Sequence, residues 1–237
     1  MIGLPPAARG FAPGPHWARR PQAPLMTSAA RRRGSRGQSP LTLLFAFVML
    51  PCAAQADTTP TAPIEALNAA LTTAEKTGSQ PFQSRYDALA PVVDHAFNLQ
   101  QILQSIIGLR WAQIPADQQA KLLAVFRAFT ISNYAANFKS DSVQFRMLPD
   151  MRNVGADVVV ESEIVPTEGT DPVRMDYVMR RGPGGWQAVD VLQLGTISQA
   201  AVQRSDFRGL LNDGGAPKLT ESLQQKVDTL SGGTIKP

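Results

Sequence analysis

The hydrophobic periodicity of this chain changes twice, and these changes constrain the fold more than any other feature of the sequence. Apolar residues recur three and four positions apart between residues 64 and 138, which predicts helices. They alternate with polar residues from 143 to 194, which predicts strands, and return to helical spacing from 198 to 230. Helices, then a strand meander, then helices are typical of an α+β domain.

The pattern also predicts element bounds and a layout. Six helices are expected at 64–76, 82–97, 99–109, 116–138, 198–211 and 218–230, and four strands at 143–147, 158–165, 173–179 and 186–194. Short connections make these strands antiparallel neighbours, which leaves one face free to pack on helices. We therefore expect a curved four-stranded antiparallel sheet with about six helices on its concave side, like a cystatin or nuclear-transport-factor-2 cone.

The N-terminal 56 residues have the pattern of a secretory leader. Four arginines between residues 31 and 36 precede a ten-residue apolar stretch at 41–50, which is too short to span a bilayer as a helix. Residues 54–56 (AQA) then supply a small-x-small cleavage site. We predict a cleaved signal peptide at 26–56 and periplasmic export, with residues 1–25 untranslated or dispensable.

The rest of the chain divides into three predicted parts. Residues 57–63 are rich in proline and threonine and predict a linker, residues 64–230 predict one folded domain, and residues 231–237 predict a disordered tail. About 180 residues are enough for one domain with a sizeable core.

Charge and cysteine content exclude two classes of function. Of the 23 lysines and arginines, seven lie in residues 1–56, so the exported part carries 16 basic and 19 acidic residues. The pI of about 9.5 therefore belongs to the leader and does not indicate nucleic-acid binding. Cys52, the single cysteine, lies in the predicted signal, so the exported chain has no disulfide and no thiolate metal ligand.

The sequence gives little support for catalysis. It contains none of the common hydrolase, metalloprotease, nucleotide or dinucleotide motifs, and we predict no catalytic residue, metal or cofactor. His95 follows Asp94, but neighbours on a helix point about 100° apart and do not form a dyad. Asp176 and Asp190, on neighbouring predicted strands, leave open an enzyme whose base lies in a cone-shaped fold.

Several spaced residues carry a resemblance to a known family. They begin with Arg85-Tyr86, Gly108-x-x-Trp111 and Tyr134, and continue with Asp176-Tyr177, Trp186-x-x-x-Asp190-Val191-x-x-x-Gly195-x-x-Ser198 and Arg204-x-x-Phe207. In order and spacing the chain resembles the periplasmic phospholipid-binding MlaC family, also called toluene-tolerance proteins, over most of 64–230. Residues 195–215 are most similar to the HpnM branch, associated with hopanoid biosynthesis. Asn98 departs from the family, many members of which carry an aspartate near this position.

The resemblance implies a lipid shuttle with an internal apolar cavity between sheet and helices. The implied cargo is a phospholipid or hopanoid, carried between an inner-membrane ABC transporter with its MCE-domain protein and an outer-membrane lipoprotein complex. The expected lining is the set of large inward-facing side chains Ile106, Ile107, Trp111, Phe126, Phe129, Tyr134, Phe145, Val160, Tyr177, Val189 and Ile197. We expect Asp190, Ser198 and Arg204 to stabilise the strand-to-helix corner by capping and an ion pair.

Two other classes of function stay open at this point. A non-lipid adaptor would connect envelope complexes through a helix face, and an envelope enzyme would use Asp176, Asp190 or Tyr177. Ordinary core packing also accounts for each of the large apolar residues.

Overall fold

The computed structural model describes residues 59–140 and 142–237. The predicted leader and signal peptide, residues 1–56, lie outside the described residues. The described residues form five α-helices: α1 (Ala62–Lys76), α2 (Phe82–Ala96), α3 (Leu99–Ile107), α4 (Ala116–Asn137) and α5 (Gln199–Ser231). A 3₁₀ helix, Gly108–Gln113, follows α3.

Five strands form one open antiparallel sheet in the order β1-β2-β3-β4-β5. They are β1 (Val143–Val154), β2 (Asp157–Pro166), β3 (Val173–Gly182), β4 (Gly185–Gln193) and β5 (Ile197–Ser198). Each strand pairs with the next one along the chain, because the connecting turns are short. The register shifts in the β1–β2 and β3–β4 pairs, and such bulges bend strands and increase their twist.

The core lies between one face of this sheet and the helices. Met175, Tyr177 and Met179 alternate along β3 and belong to the same buried apolar cluster as residues of all five helices. The alternation follows from the strand repeat of two, which sends Asp176 and Tyr177 to opposite faces. The α+β class and the antiparallel meander predicted from the sequence are confirmed.

The predicted number of strands differs from the structure, whereas the predicted division of the C-terminal helical region is present. The sheet has a fifth strand, β5, because the backbone of Ile197 and Ser198 pairs with β4 before α5 begins; two residues are too few to show an alternating pattern. The two helices expected at 198–211 and 218–230 are the two parts of α5, which are separated by a kink at Gly215 (φ 66°, ψ −153°). A positive φ with this ψ is accessible mainly to glycine, so the helix axis changes direction there.

The C-terminal residues also differ from expectation. Residues 231–237, expected to be disordered, follow a C-cap at Gly232 in the left-handed conformation, a common helix end. Ile235 is only 5% exposed and joins the core, and Lys236 pairs with Asp228 at 3.1 Å. A single isoleucine among small and polar residues gave no periodic signal from which its burial could be predicted.

Candidate functional site

A connected group of aromatic rings fills the space between sheet and helices. The ring of Phe97 lies 5.9 Å from that of Tyr134 on α4 and 6.2 Å from that of Tyr177 on β3. Tyr134 stacks on Phe138 at 6.0 Å, and Phe138 lies 5.2 Å from Phe145 on β1. We call these five residues the aromatic cluster. Burial raises the pKa of both tyrosines above the ordinary value, so their hydroxyls stay neutral.

Phe97 is placed in this cluster by the end of α2. It leaves the helix in an extended conformation, and its neighbour Asn98 donates a backbone hydrogen bond of 2.9 Å to the carbonyl of Ala188 on β4. Asn98 then caps α3 through a side-chain hydrogen bond from the backbone of Gln101. Asn98, which departs from the family pattern, is thus the N-cap of α3.

A small pocket lies beside Phe97, between α3, α4, β4 and the start of α5. Its volume is about 30 Å³, and we call it the edge pocket. Six apolar residues line it: Phe97, Leu99, Ile102, Phe126, Val191 and Ala200. Four polar residues complete the wall: Thr130, Asp190, Gln199 and Gln203. An apolar pocket with a few convergent polar groups is the usual form of a small-molecule site.

The edge pocket is much smaller than the internal cavity expected from the sequence. An abundance of apolar side chains was the signal for that cavity, but the same composition also describes a filled core. In the structure most of the expected lining lies in the buried apolar core or packs against it. Two wider grooves of about 500 and 410 Å³ lie on the surface against α5. The larger is lined mainly by charged and amide residues of α4 and α5.

The corner between β4 and α5 forms one wall of the edge pocket. Asp190 accepts hydrogen bonds from the backbone N–H of Val191 (2.8 Å) and Ala200 (3.1 Å) and from the hydroxyl of Ser198. Ser198 in turn caps α5 by accepting from the N–H of Ala201. The predicted capping is confirmed, whereas the predicted ion pair is wrong: Arg204 donates to the backbone carbonyl of Ser105 and so connects α5 to α3.

The opposite face of the sheet carries a charged cluster instead of an apolar one. Asp176 is fully buried and accepts from Arg152 (3.1 Å) and Arg174 (3.0 Å), and the same two arginines pair with Glu161. We call these four residues the outer charge cluster. Hydrogen bonding from Arg152 and the charge of Arg174 hold the pKa of Glu161 below its ordinary value, against the opposing effect of burial.

The carboxylates that the enzyme hypothesis offers as bases are engaged in structural contacts. Asp176, a candidate base, is held between two guanidinium groups, and Asp190 is used by the helix cap. Asp94 makes a two-point contact with Arg127 at 2.6 and 2.7 Å. Within residues 59–140 and 142–237, no group of three or more histidine, cysteine or carboxylate side chains could hold a metal ion.

The predicted lining residues divide into four groups in the structure. Six are buried in the core: Ile106, Ile107, Phe129, Tyr134, Val160 and Tyr177. Phe126 is buried and also lines the edge pocket. Trp111 and Phe145 are half-buried and pack against the core.

Val189 and Ile197 are not where the sequence pattern placed them. Val189 has no partner on β3, because Met179 pairs with Ala188 and Val178 with Asp190; it is buried outside the main core cluster. Ile197 is 44% exposed, since it lies in the short edge strand β5. The bulge shifts the alternation in β4 by one residue, and β5 is too short to show an alternation, so a strict period of two anticipates neither position.

Most residues of the edge pocket were not predicted from the sequence as site residues. Leu99 and Ile102 lie one helical turn apart on α3, and their spacing predicts a buried helix face without distinguishing a core from a site. Gln199 and Gln203 are the sequence feature from which the pocket could have been predicted. The two amides lie four residues apart on α5 and share a helix face with Ala200 and Phe207, which are buried. Amides on a buried helix face need partners or a ligand.

Fold and site together show an apolar layer between sheet and helices, with a small pocket at its edge. The profile of the MlaC protein family matches residues 62–225, and the chain belongs to this family. Among curated proteins, none matches the sequence significantly.

The fold is similar to that of a phospholipid-binding protein from Ralstonia solanacearum, whose structure contains a bound phospholipid. The TM-score is 0.61 at 20% sequence identity, and the match covers 72% of this chain and 96% of the other. At that identity the comparison establishes a shared fold. In the described part of the chain, none of the helices is both long and apolar enough to cross a membrane.

Proposed function

We propose that this protein is a periplasmic lipid carrier, which binds a phospholipid or hopanoid and moves it between the inner and outer membranes. Its proposed partners are an inner-membrane ABC transporter with an MCE-domain protein and an outer-membrane lipoprotein complex. Membership of the MlaC family and the fold shared with a phospholipid-binding protein support the lipid as ligand. The observation that carries the proposal is the aromatic cluster, which connects to the edge pocket through Phe97.

The free energy of the cargo explains why an apolar layer is required. Two acyl chains hold about 30 methylenes, and exposing each to water costs about 0.8 kcal/mol, so a carrier must offset roughly 24 kcal/mol. Contacts with a headgroup alone are far too weak for that. The tails must therefore enter the layer between sheet and helices.

Entry of the tails requires the layer to widen. Pockets for small molecules usually measure about 300 to 1,000 Å³, whereas the edge pocket measures about 30 Å³. The break at Gly215 offers a place for this movement, because it separates residues 199–214 from the part of α5 that carries Leu219, Leu223 and Val227. We propose that residues 199–214 move away from α3 and β4 when a lipid enters.

Native mass spectrometry of the protein purified from its own periplasm tests this function. We expect co-purifying lipid in the wild type and its loss in Phe126→Glu, because a carboxylate in the edge pocket would be desolvated by the tails. Ala124→Glu is the matched control, since Ala124 lies on the same helix with its side chain exposed. Circular dichroism verifies that both variants fold.

Two results would count against the proposal. A wild-type protein without lipid would favour the adaptor hypothesis over the carrier. Full lipid loading in a folded Phe126→Glu variant would show that the tails do not pass the edge pocket.

A further inference from the structure

Two exposed apolar side chains lie on the turn between β4 and β5, beside the edge pocket. Leu194 is 58% exposed and Ile197 is 44% exposed. We call residues 194–197 the rim turn. It joins residues 190–191 of β4 to residues 199–200 of α5, and both segments line the edge pocket. The two side chains therefore lie at the border of the pocket through which the lipid tails are proposed to enter.

Backbone hydrogen bonds hold the rim turn in one conformation. The N–H of Leu194 donates to the carbonyl of Arg174 at 2.8 Å, and the N–H groups of Gly195 and Thr196 donate to carbonyls of β4. Among the described residues, Leu194 is the one residue other than glycine with a positive φ, of 54°. Leucine rarely adopts this conformation. A large apolar side chain that is exposed and disfavoured by its own backbone contributes little to stability, which indicates a role in binding.

The charges next to the rim turn balance one another. A Cβ on Gly195 would lie 3.2 Å from Nε of Arg174 and 3.5 Å from a carboxylate oxygen of Asp176, so the turn packs against the outer charge cluster. The two arginines of that cluster pair with its two acids, and together they carry no net charge. Exposed apolar side chains beside a neutral cluster fit the apolar part of a bilayer better than a charged partner.

We infer that the rim turn is a membrane-docking surface, whose Leu194 and Ile197 side chains insert into a lipid bilayer at the boundary between headgroups and acyl chains. The inference rests on the proposed carrier function and adds the way in which the carrier meets its donor membrane. Apolar side chains at this depth hold a peripheral protein on the membrane, because their surface leaves water. Docking through the rim turn brings the edge pocket to the membrane, so a tail enters the protein without crossing water.

The rate of lipid pickup from protein-free vesicles tests this surface. The full chain is incubated with vesicles of deuterated dioleoyl phosphatidylcholine, the vesicles are pelleted, and the deuterated lipid that stays with the protein is quantified by mass spectrometry over time. For the double variant Leu194→Asn, Ile197→Thr we expect an initial rate about tenfold lower, because the exposed parts of the two side chains together equal about one whole apolar side chain. The wild-type rate should change little with ionic strength, and a steep decrease in high salt would contradict docking by a neutral surface.

The matched control is the double variant Met151→Gln, Val154→Thr. These two side chains are 51% and 53% exposed and lie on β1, at the opposite edge of the sheet. The control should pick up lipid at the wild-type rate. Leu194→Asn alone should keep or raise the urea denaturation midpoint, since asparagine adopts a positive φ more readily than leucine. A lowered midpoint would assign Leu194 to core packing and overturn its role in docking.

The contrary outcomes separate this inference from the carrier function. Equal rates in the two double variants would overturn docking through the rim turn. If the protein purified from its own periplasm contains lipid but the wild type takes up none from protein-free vesicles, the carrier function stands and a bilayer is wrong as the partner of the rim turn. Absence of lipid in both experiments would overturn the carrier function itself.

Discussion

The two faces of the sheet differ in chemistry although the same strands form both. On the helix side, Tyr177 belongs to the aromatic cluster, which is stabilised by dispersion contacts and by the burial of apolar surface. On the other side, Asp176, the preceding residue, is held by hydrogen bonds from two arginines. An apolar contact depends little on direction and can be exchanged for a lipid tail, whereas an ion-paired network has one geometry. We infer that the outer face fixes the strands while the inner face stays exchangeable.

The largest expected change in stability comes from removing an aromatic ring on the helix side of the sheet. Phe97→Ala should lower the free energy of unfolding by about 3 to 5 kcal/mol, because it removes a buried ring and leaves a cavity next to the edge pocket. Urea denaturation followed by circular dichroism measures this loss. Phe97→Leu is the control and should cost less than half as much.

Phe97→Ala also tests whether a lipid can replace the aromatic ring on the helix side of the sheet. If the inner face is exchangeable, the space left by the ring should be refilled by lipid, and saturating phospholipid should restore part of the lost stability. A folded Phe97→Ala protein that lipid does not stabilise would speak against an exchangeable inner face.

A smaller loss of stability is expected from disrupting the outer charge cluster. Asp176→Ala removes the acid that two arginines share, and the loss of one partner of a buried pair costs about 3 to 5 kcal/mol. Arg152 and Arg174 are 48% and 37% exposed, so water compensates them in part and we expect about 2 kcal/mol. Urea denaturation midpoints of the wild type and of Asp176→Ala measure this loss of stability.

The control for this variant is a single ion pair on β2 and β3, whose acid is 14% exposed and has one arginine partner. Asp157→Ala removes the contact with Arg180, which is 45% exposed, and should cost less than about 1 kcal/mol. Equal losses in Asp157→Ala and Asp176→Ala would contradict a special role of the outer charge cluster.

The smallest expected effect is a dependence of stability on pH. Because the pKa of Glu161 is lower in the folded protein than its ordinary value of 4.5, the unfolded chain binds the proton first as the pH falls. The contribution of Glu161 is therefore fully present above about pH 4.5 and is lost as the pH falls through the folded pKa. Glu161→Gln should flatten the decrease in stability below pH 4.5.

Glu221→Gln controls for the removal of one carboxylate at a site 56% exposed. Unfolding free energies of the three proteins between pH 3 and 7 provide the comparison. A slope in Glu161→Gln equal to that of the wild type would mean that the outer charge cluster does not contribute to acid sensitivity.

The fold was predictable where one period continued over many residues. α4 and the β2–β3 pair carried long regular patterns, and their predicted bounds lie close to the observed ones. The errors lie where the pattern is short or shifted: β5 has two residues, and Val189 has no partner on β3. Local periodicity contains no information on such single-residue events.

The site was less predictable than the fold, and the reason is physical. Large apolar residues report that a segment is buried, but not whether its neighbours fill the space or leave room for a ligand. Phe126 was anticipated because it is both large and on the inner stripe of α4. Gln199 and Gln203 were not, because glutamine is normally exposed, and their burial follows from the turn that brings α5 against β4.

The burial of Ile235 has a practical consequence for handling the protein. A purification tag or a fluorescent protein joined directly to Pro237 would begin two residues from a side chain in the core, and it would crowd the contact between Lys236 and Asp228. Fusions at this end need a flexible spacer, and a truncated gene ending at residue 230 would encode a molecule that lacks part of its own interior.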